Sequence, residues 1–470
     1  MKNRYKNKLI CILITVIISS FTIPITNITA NAADINSKDI DLVILFDDNS
    51  IDKNVEKIIT NSGGKIVEEF PELGGIEVKC SSDLIPVIKS EDSVKSLAPN
   101  HVIKLSNEKT IKFEKLNNNS NNVSDDLYES YQWDIKRVTN NGNSFNLESG
   151  NHDVIVGIID SGVDTTHPDL INNFLGGENL VPPNFKDDSS ETGDSDDVAD
   201  RLGHGTNIAG IIAANGRIKG VAPNIGFKSY RIFNKNEETT ATIVSSAIIK
   251  ATDDHVKVIN LSIEGYDLKG KCYWTNPSTR IKYDLGNDTA EYSLYKRAIQ
   301  YAIKNGVTVV SAAGNQGLNC SNKKKLTEYL NDKYSNEGFK YTGITYEVPG
   351  SIQGVITVSA TSKNDKVASY SNYGEDFIDI SAPGGDFSNI NEEDSLCLTT
   401  AIDGEYTFTA GTSIAAPKVS AVAALIICQH KGISPKLVER KICGTADTLG
   451  VDSLSKYYGD GMVNAYNAIQ

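Results

Sequence analysis

Between residues 39 and 105 short apolar runs alternate with helix-like stretches: DLVILF, VEKIIT, GGKIVEEF, GGIEVKC, LIPVIKS and HVIKL. Reading the first, third, fourth and sixth as strands and the other two as helices predicts a small α+β unit, in the order β-α-β-β-α-β of a ferredoxin-like fold. A polar stretch follows, including NNNSNNVSDD at 117 to 126, whose composition cannot pack a core and predicts an exposed linker. From about residue 128 the pattern changes. Apolar strands at 154–160, 227–233, 256–262, 307–313 and 355–360 are separated by helical stretches at about 204–214, 240–253 and 290–304. Near-continuous apolar strands alternating with helices predict an α/β fold of three layers, a mainly parallel central sheet with helices on both faces.

The first 32 residues stand apart from both patterns. Lys2, Arg4, Lys6 and Lys8 precede an apolar run from Leu9 to Phe21, and polar and small residues then lead to Ala30-Asn31-Ala32. This is the layout of a secretory signal peptide cleaved after Ala32. The run is interrupted by Thr15, Ser19 and Ser20 and is shorter than the roughly 20 apolar residues of a spanning helix. A secreted protein with no stable membrane anchor is therefore expected. The predicted organisation is 1–32 signal, 33–105 α+β unit, 106–127 linker and 128–470 large α/β domain.

Composition changes this picture little. The chain has 60 acidic and 46 basic residues, a formal charge of −14, which argues against a nucleic-acid partner and suits a soluble extracellular protein. Beyond the signal lie Cys80, Cys272, Cys320, Cys397, Cys428 and Cys443, with neither the density of a disulfide scaffold nor a zinc spacing. Cys428 and Cys443 fall in apolar helical stretches and read as buried thiols, whereas Cys272 and Cys320 lie in polar insertions and are candidates to pair.

Four glycine-framed polar blocks fall where the alternation puts strand ends or helix starts. IIDSGVDTTHPDL brings Asp160 to the carboxyl edge of a strand, where open α/β sheets bind their ligands. RLGHGTNIAGIIAA sets His204 at a helix start, and TAGTSIAAPKVSAVAALII sets Ser413 before a long small-residue helix that tolerates Pro417 near its first turn. VVSAAGNQG places Asn315 just past a strand. A serine hydroxyl needs a base in hydrogen-bond reach, and the base needs an orienting carboxylate. Asp160, His204 and Ser413 supply those parts, and the Asn315 amide supplies a donor for an oxyanion. Singly, an Asp after a strand is usually a turn residue and a Thr-Ser at a helix start an N-cap. Four such blocks on one predicted sheet point instead to nucleophilic catalysis.

DSGVDTTHPDL, GHGTNIAG, AAGN and GTSIAAPKVS resemble the signature blocks of the subtilisin family in its Asp, His, Asn, Ser order, over about residues 150–470. The resemblance implies a subtilisin-like serine endopeptidase: Asp160 orients, His204 acts as base and then acid, Ser413 attacks the acyl carbon, and Asn315 with the Ser413 amide binds the oxyanion. It implies that residues 33–105 are an inhibitor and chaperone prodomain removed by self-cleavage. It also implies a monomer that needs no cofactor. Ser262, Ile263, Glu264 and Gly265 would form one wall of the S1 pocket, and Ala312, Ala313 and Gly314 the other. Glu264 stands where the family commonly has Gly and would either face a basic P1 side chain or point to solvent. After His204 the run IIAANGRIKGVAP is shorter than the calcium-holding loop of many bacterial subtilisins, so the main calcium site is expected to be missing. LYESYQWDIKRVTNNGNSF resembles the matching segment of lantibiotic leader peptidases, which implies a modified precursor peptide as substrate. The chain stops at VNAYNAIQ instead of an LPxTG-type motif, so covalent wall anchoring is not expected.

Overall fold

The computed structural model describes residues 39–47, 50–105, 110–113, 126–287, 290–387, 393–449 and 455–470. The predicted signal peptide lies outside them, as does most of the linker. The α+β unit begins with β1 (Asp39–Phe46), α1 (Lys53–Asn61), β2 (Lys65–Phe70), β3 (Gly75–Ser81), α2 (Ile85–Lys89) and β4 (Val94–Pro99). Its strands form an antiparallel sheet in the order β2-β3-β1-β4, the ferredoxin-like arrangement. Asp52 caps α1 by accepting the Asn54 N–H, and Val55 and Ile59 turn inward onto the sheet.

The fourth strand is VKSLAP, not HVIKL. HVIKL contributes β5 (Val102–Lys104), which leaves the small sheet and pairs antiparallel with Glu238–Thr240 of the large domain. The predicted linker is also structured in part. β6 (Thr110–Lys112) adds antiparallel to Tyr406–Thr409, and Phe113 packs edge-on against Tyr131. Both strands are three residues long and are defined by the edge they join rather than by any pattern of their own.

The large domain opens with α3 (Leu127–Tyr131) and α4 (Trp133–Thr139) and continues through β7 (Ile155–Asp160), β8 (Phe174–Asn179), α5 (His204–Ala213), β9 (Gly226–Arg231), β10 (Glu238–Thr240), α6 (Ala241–Asp253) and β11 (Val258–Leu261). β12 (Gly265–Thr275) and β13 (Lys282–Asn287) follow, then α7 (Ala290–Lys304), β14 (Thr308–Ala312), α8 (Lys323–Tyr334), β15 (Phe339–Val348), β16 (Val355–Thr361) and β17 (Ile380–Pro383). The chain ends with β18 (Cys397–Thr400), β19 (Tyr406–Thr409), α9 (Thr412–Gln429), α10 (Pro435–Gly444) and two short helical turns.

Seven strands form the parallel central sheet, in the order β17-β16-β14-β11-β7-β9-β8. The five inner strands are the predicted ones. The edges β8 and β17 are not apolar runs of the predicted kind, because an edge strand with Gly176 and Gly177 carries no long hydrophobic stretch. One face of the sheet packs on α5 and α9, the other on α6 and α7. α9 is long and apolar enough to cross a membrane by composition, but it is 94% buried and is the central core helix.

A second, three-stranded antiparallel sheet, β13-β12-β15, was not foreseen. With α8 it buries Cys272 and Cys320 in one apolar cluster, and no disulfide joins them, so the candidate pairing is not formed. Burial pushes the Cys320 thiol far above its usual range. Cys428 is buried as read from sequence, and Cys443 is partly buried.

Candidate active site

All four blocks lie along the carboxyl edge of the central sheet. Asp160 ends β7 fully buried, and its Oδ1 accepts the Ser161 N–H at 2.7 Å and the His204 Nδ1–H at 2.7 Å. His204 is the first residue of α5 and is 6% exposed. The glycines around it are required: Gly203 sits at φ 90°, and a Cβ on Gly205 would come within 2.1 Å of the Gly162 carbonyl oxygen. Asp200 holds this helix start. Its Oδ1 accepts the Gly203 N–H at 2.8 Å and its Oδ2 the Thr206 N–H at 2.9 Å, a carboxylate at the positive end of a helix.

Ser413 lies in the first turn of α9, which packs against α5, and is 2% exposed. Pro417 deprives the Ser413 carbonyl of its intrahelical donor, and the Ser262 hydroxyl takes that place at 3.0 Å. Asn315 is fixed from both ends. Its Oδ1 accepts the Thr412 N–H at 2.9 Å and the Thr412 hydroxyl at 2.8 Å, which leaves the Nδ2 hydrogens as the outward donors. Its backbone N–H donates to Glu264 Oε2 at 2.7 Å.

A hydrogen-bonded Asp–His pair, a serine at a helix start and a clamped amide donor stand at one sheet edge. The subtilase family model matches residues 151–461, which carry all of these groups. The chain belongs to the subtilase family. This subtilase is 32% identical over 441 residues to the epidermin leader peptide-processing serine protease of Staphylococcus epidermidis, covering 89% of this chain and 91% of that one. It is 37% identical over 326 residues to the nisin leader peptide-processing serine protease of Lactococcus lactis subsp. lactis, covering 66% of this chain and 46% of that relative. Among solved structures, the epidermin leader peptide processing serine protease of Staphylococcus aureus superposes with a TM-score of 0.77 at 30% identity, covering 92% of this chain and 98% of that one.

The residues expected to form the walls of the S1 pocket are placed as follows. Ser262 ties β11 to the Ser413 carbonyl, and Ile263 points into the core. Gly265 pairs with Val348 at the start of β12. Ala312 and Ala313 are buried, and Gly314, at φ 98°, donates its N–H to the Thr412 hydroxyl. Glu264 neither points to solvent nor stands ready for a substrate. Oε2 accepts from the Asn315 amide and Oε1 from Gln316 Nε2, so the carboxylate is a strut under the Asn315 turn. Gln316 and Thr412 were not legible as site residues because they act on Glu264 and Asn315, which are distant in sequence, and Asp200 was not because a carboxylate before a helix carries no signal beyond a cap. Gln316 and Thr412 lay inside recognised blocks, and Asp200 directly before one.

The shortened loop after α5 is closed by the subtilase's own groups. Asp169 Oδ1 accepts the Arg217 N–H at 3.2 Å, and Oδ2 accepts the Ile218 N–H and the Tyr406 hydroxyl, each at 3.0 Å. The Arg217 guanidinium lies 5.3 Å from the Tyr406 ring centroid. Both Asp169 carboxylate oxygens are thus engaged by donors of this chain.

Proposed function

We propose that this subtilase is a secreted endopeptidase that removes the leader peptide from a lantibiotic precursor by acyl-enzyme catalysis on Ser413. The observation that carries the reading is likeness to two leader-processing proteases, in one case over nine-tenths of both chains and including the N-terminal α+β unit.

In this mechanism His204 takes the Ser413 proton as the hydroxyl attacks the scissile carbonyl, and later returns it to the leaving amine. Asp160, held by the Ser161 amide, fixes the imidazole with Nδ1 protonated and stabilises the imidazolium. The oxyanion takes hydrogen bonds from Asn315 Nδ2 and the Ser413 N–H, donors already placed before charge develops. No cofactor takes part.

Residues 33–105 act as the removable inhibitor and chaperone. In support, β5 pairs with β10 and β6 with β19, so strands on both flanks of residues 106–109 add to the large domain. A cut between Leu105 and Thr110 would separate the two strands, and a cut after Phe113 would leave both with the upstream unit. The processed protein, incubated with a lanthionine-containing precursor, is expected to make one cut at the leader junction. A fluorophosphonate should label it, and Ser413→Ala should abolish both results. Scattered cuts throughout the precursor would instead indicate a general secreted protease, and failure to label would indicate a silent binding protein.

A further inference from the structure

His101, in the connection Asn100-His101 between β4 and β5, is 8% exposed and sits in a socket built by the large domain. Its backbone N–H donates to Glu291 Oε1 at 2.8 Å, and its ring Nδ1 lies 2.7 Å from Glu291 Oε2. Ring Nε2 lies 2.6 Å from the Tyr341 hydroxyl. Aromatic rings form the walls: Tyr334 is tilted over the imidazole with centroids 4.3 Å apart, and Phe339 meets it edge-on at 5.1 Å. Phe339 and Tyr341 are two apart on β15 and so face the same side, while Tyr334 closes α8 and Glu291 stands in the first turn of α7. Asp267 of β12 lies near Glu291, and its Oδ2 is buried without a hydrogen-bond partner among the described residues. Burial pushes both carboxyls up, that of Glu291 to about 8, and repulsion from Glu291 adds to the shift of Asp267.

The socket outlasts its occupant. β5 follows His101 directly and pairs antiparallel with β10, so removal of the upstream unit uncovers both the Glu238–Thr240 edge and the socket beside it. An unpaired edge takes up another extended peptide through main-chain bonds. A peptide laid on β10 in the direction of β5 carries the residue before its paired segment to the mouth of the socket. There its backbone N–H replaces that of His101 on Glu291 Oε1 whatever the residue. Glu291 Oε2 and the Tyr341 hydroxyl are met together only by a side chain with a nitrogen at each end of a flat ring. A smaller or apolar side chain leaves a buried carboxyl short of a partner, with a second one at Asp267 close by.

We propose that in the processed enzyme this socket is a remote subsite for the peptide substrate and selects a histidine immediately before the segment that pairs with β10. The proposal rests on the endopeptidase reading above and names a substrate side chain recognised on α7, α8 and β15, elements that carry none of the triad residues. An imidazole lies flat between Tyr334 and Phe339 and turns one nitrogen to Glu291 and the other to Tyr341.

The test uses processed enzyme titrated with a fluorophosphonate and a peptide of residues 98–127 of this chain, with His101 kept or replaced by Ala. For wild-type enzyme, His101→Ala in the peptide is expected to lower kcat/KM about tenfold, through KM with kcat unchanged, as for a lost hydrogen bond to a charged group. For Glu291→Leu enzyme the two peptides should differ less than about threefold, because the group that tells them apart is gone. A readout on wild type alone is independent of turnover and of the variant's folding: the peptide PNHVIKL, residues 99–105, should raise the enzyme's Tm more than PNAVIKL at equal concentration. Equal kcat/KM for the His and Ala peptides, equal Tm shifts for the two short ones, or a preference for His that survives Glu291→Leu would overturn the assignment. A larger Tm shift with PNHVIKL but no cleavage of any peptide would instead sink the endopeptidase reading and leave the socket standing.

Discussion

The chain segments on either side of the undescribed stretch 114–125 are attached to the large domain in different ways. Upstream, the α+β unit meets α6 and α7 through an apolar sheet face, with Val43, Leu45, Phe70, Leu73 and Ala98 in one cluster with Val244, Ala290 and Leu294, and through hydrogen bonds. Arg297 donates to the carbonyls of Leu73, Gly74 and Phe46, Ser246 to Glu68, and His101 is held by Glu291 and Tyr341. Downstream, the segment from α3 to α4 is sewn into the core. Gln132 bridges Lys219 and Leu398, Trp133 donates to the Leu396 carbonyl, and Asp134 pairs with Lys418 at 2.8 Å with both side chains fully buried. Arg137 adds ion pairs to Asp365 and Asp447. The upstream unit is fastened like a partner, the downstream segment like an interior element. This is the pattern expected if one is removed and the other remains.

The largest effect should come from the nucleophile. Ser413→Ala is expected to lower turnover by about a millionfold and to leave both regions on one polypeptide, detected as an unprocessed band when the variant is expressed alone. Asp134→Ala strikes the interior attachment by leaving Lys418 buried without its partner. It should cost about 3–5 kcal/mol of stability in denaturant unfolding. Arg297→Ala strikes the other attachment, leaving carbonyls unsatisfied. It should weaken inhibition of the processed enzyme by the cleaved unit about tenfold in Ki, with no change in the stability of the processed enzyme.

The smallest effect is one of pH. Burial against α6 pushes the Glu68 carboxyl up to about 7 from its ordinary 4.5, with Ser246 opposing and Glu77 reinforcing the shift. A group whose pKa is raised on docking favours the docked state below its free pKa and loses that contribution as pH rises through the docked value. Attachment of the unit should therefore be strongest below pH 4.5 and weaken as pH rises to 7. Glu68→Gln should flatten that part of the profile, measured as Ki against pH.

The same division explains what could be read from sequence. The inner strands of the sheet are continuous apolar runs because helices cover both their faces, and the triad blocks stand out because Gly203 and Gly205 are demanded by geometry no other residue permits. Strands such as β5 and β6 exist only by virtue of the edge they join, so HVIKL looked like a fourth strand of the small sheet. The β12–β15 sheet is rich in Lys, Tyr and Gly and looked like a polar insertion. Asp160, His204, Asn315 and Ser413 were legible as blocks. The strut role of Glu264 was not, because it depends on the Asn315 turn meeting the end of β11 in space.

The most direct test of a removable upstream unit and an integral downstream segment is N-terminal sequencing and intact mass of the secreted protein. Fluorophosphonate-labelled wild type should begin within residues 106–127 and retain Gln132 to Arg137, while Ser413→Ala should begin at residue 33. Labelled, active wild type that still begins at residue 33 would contradict the account.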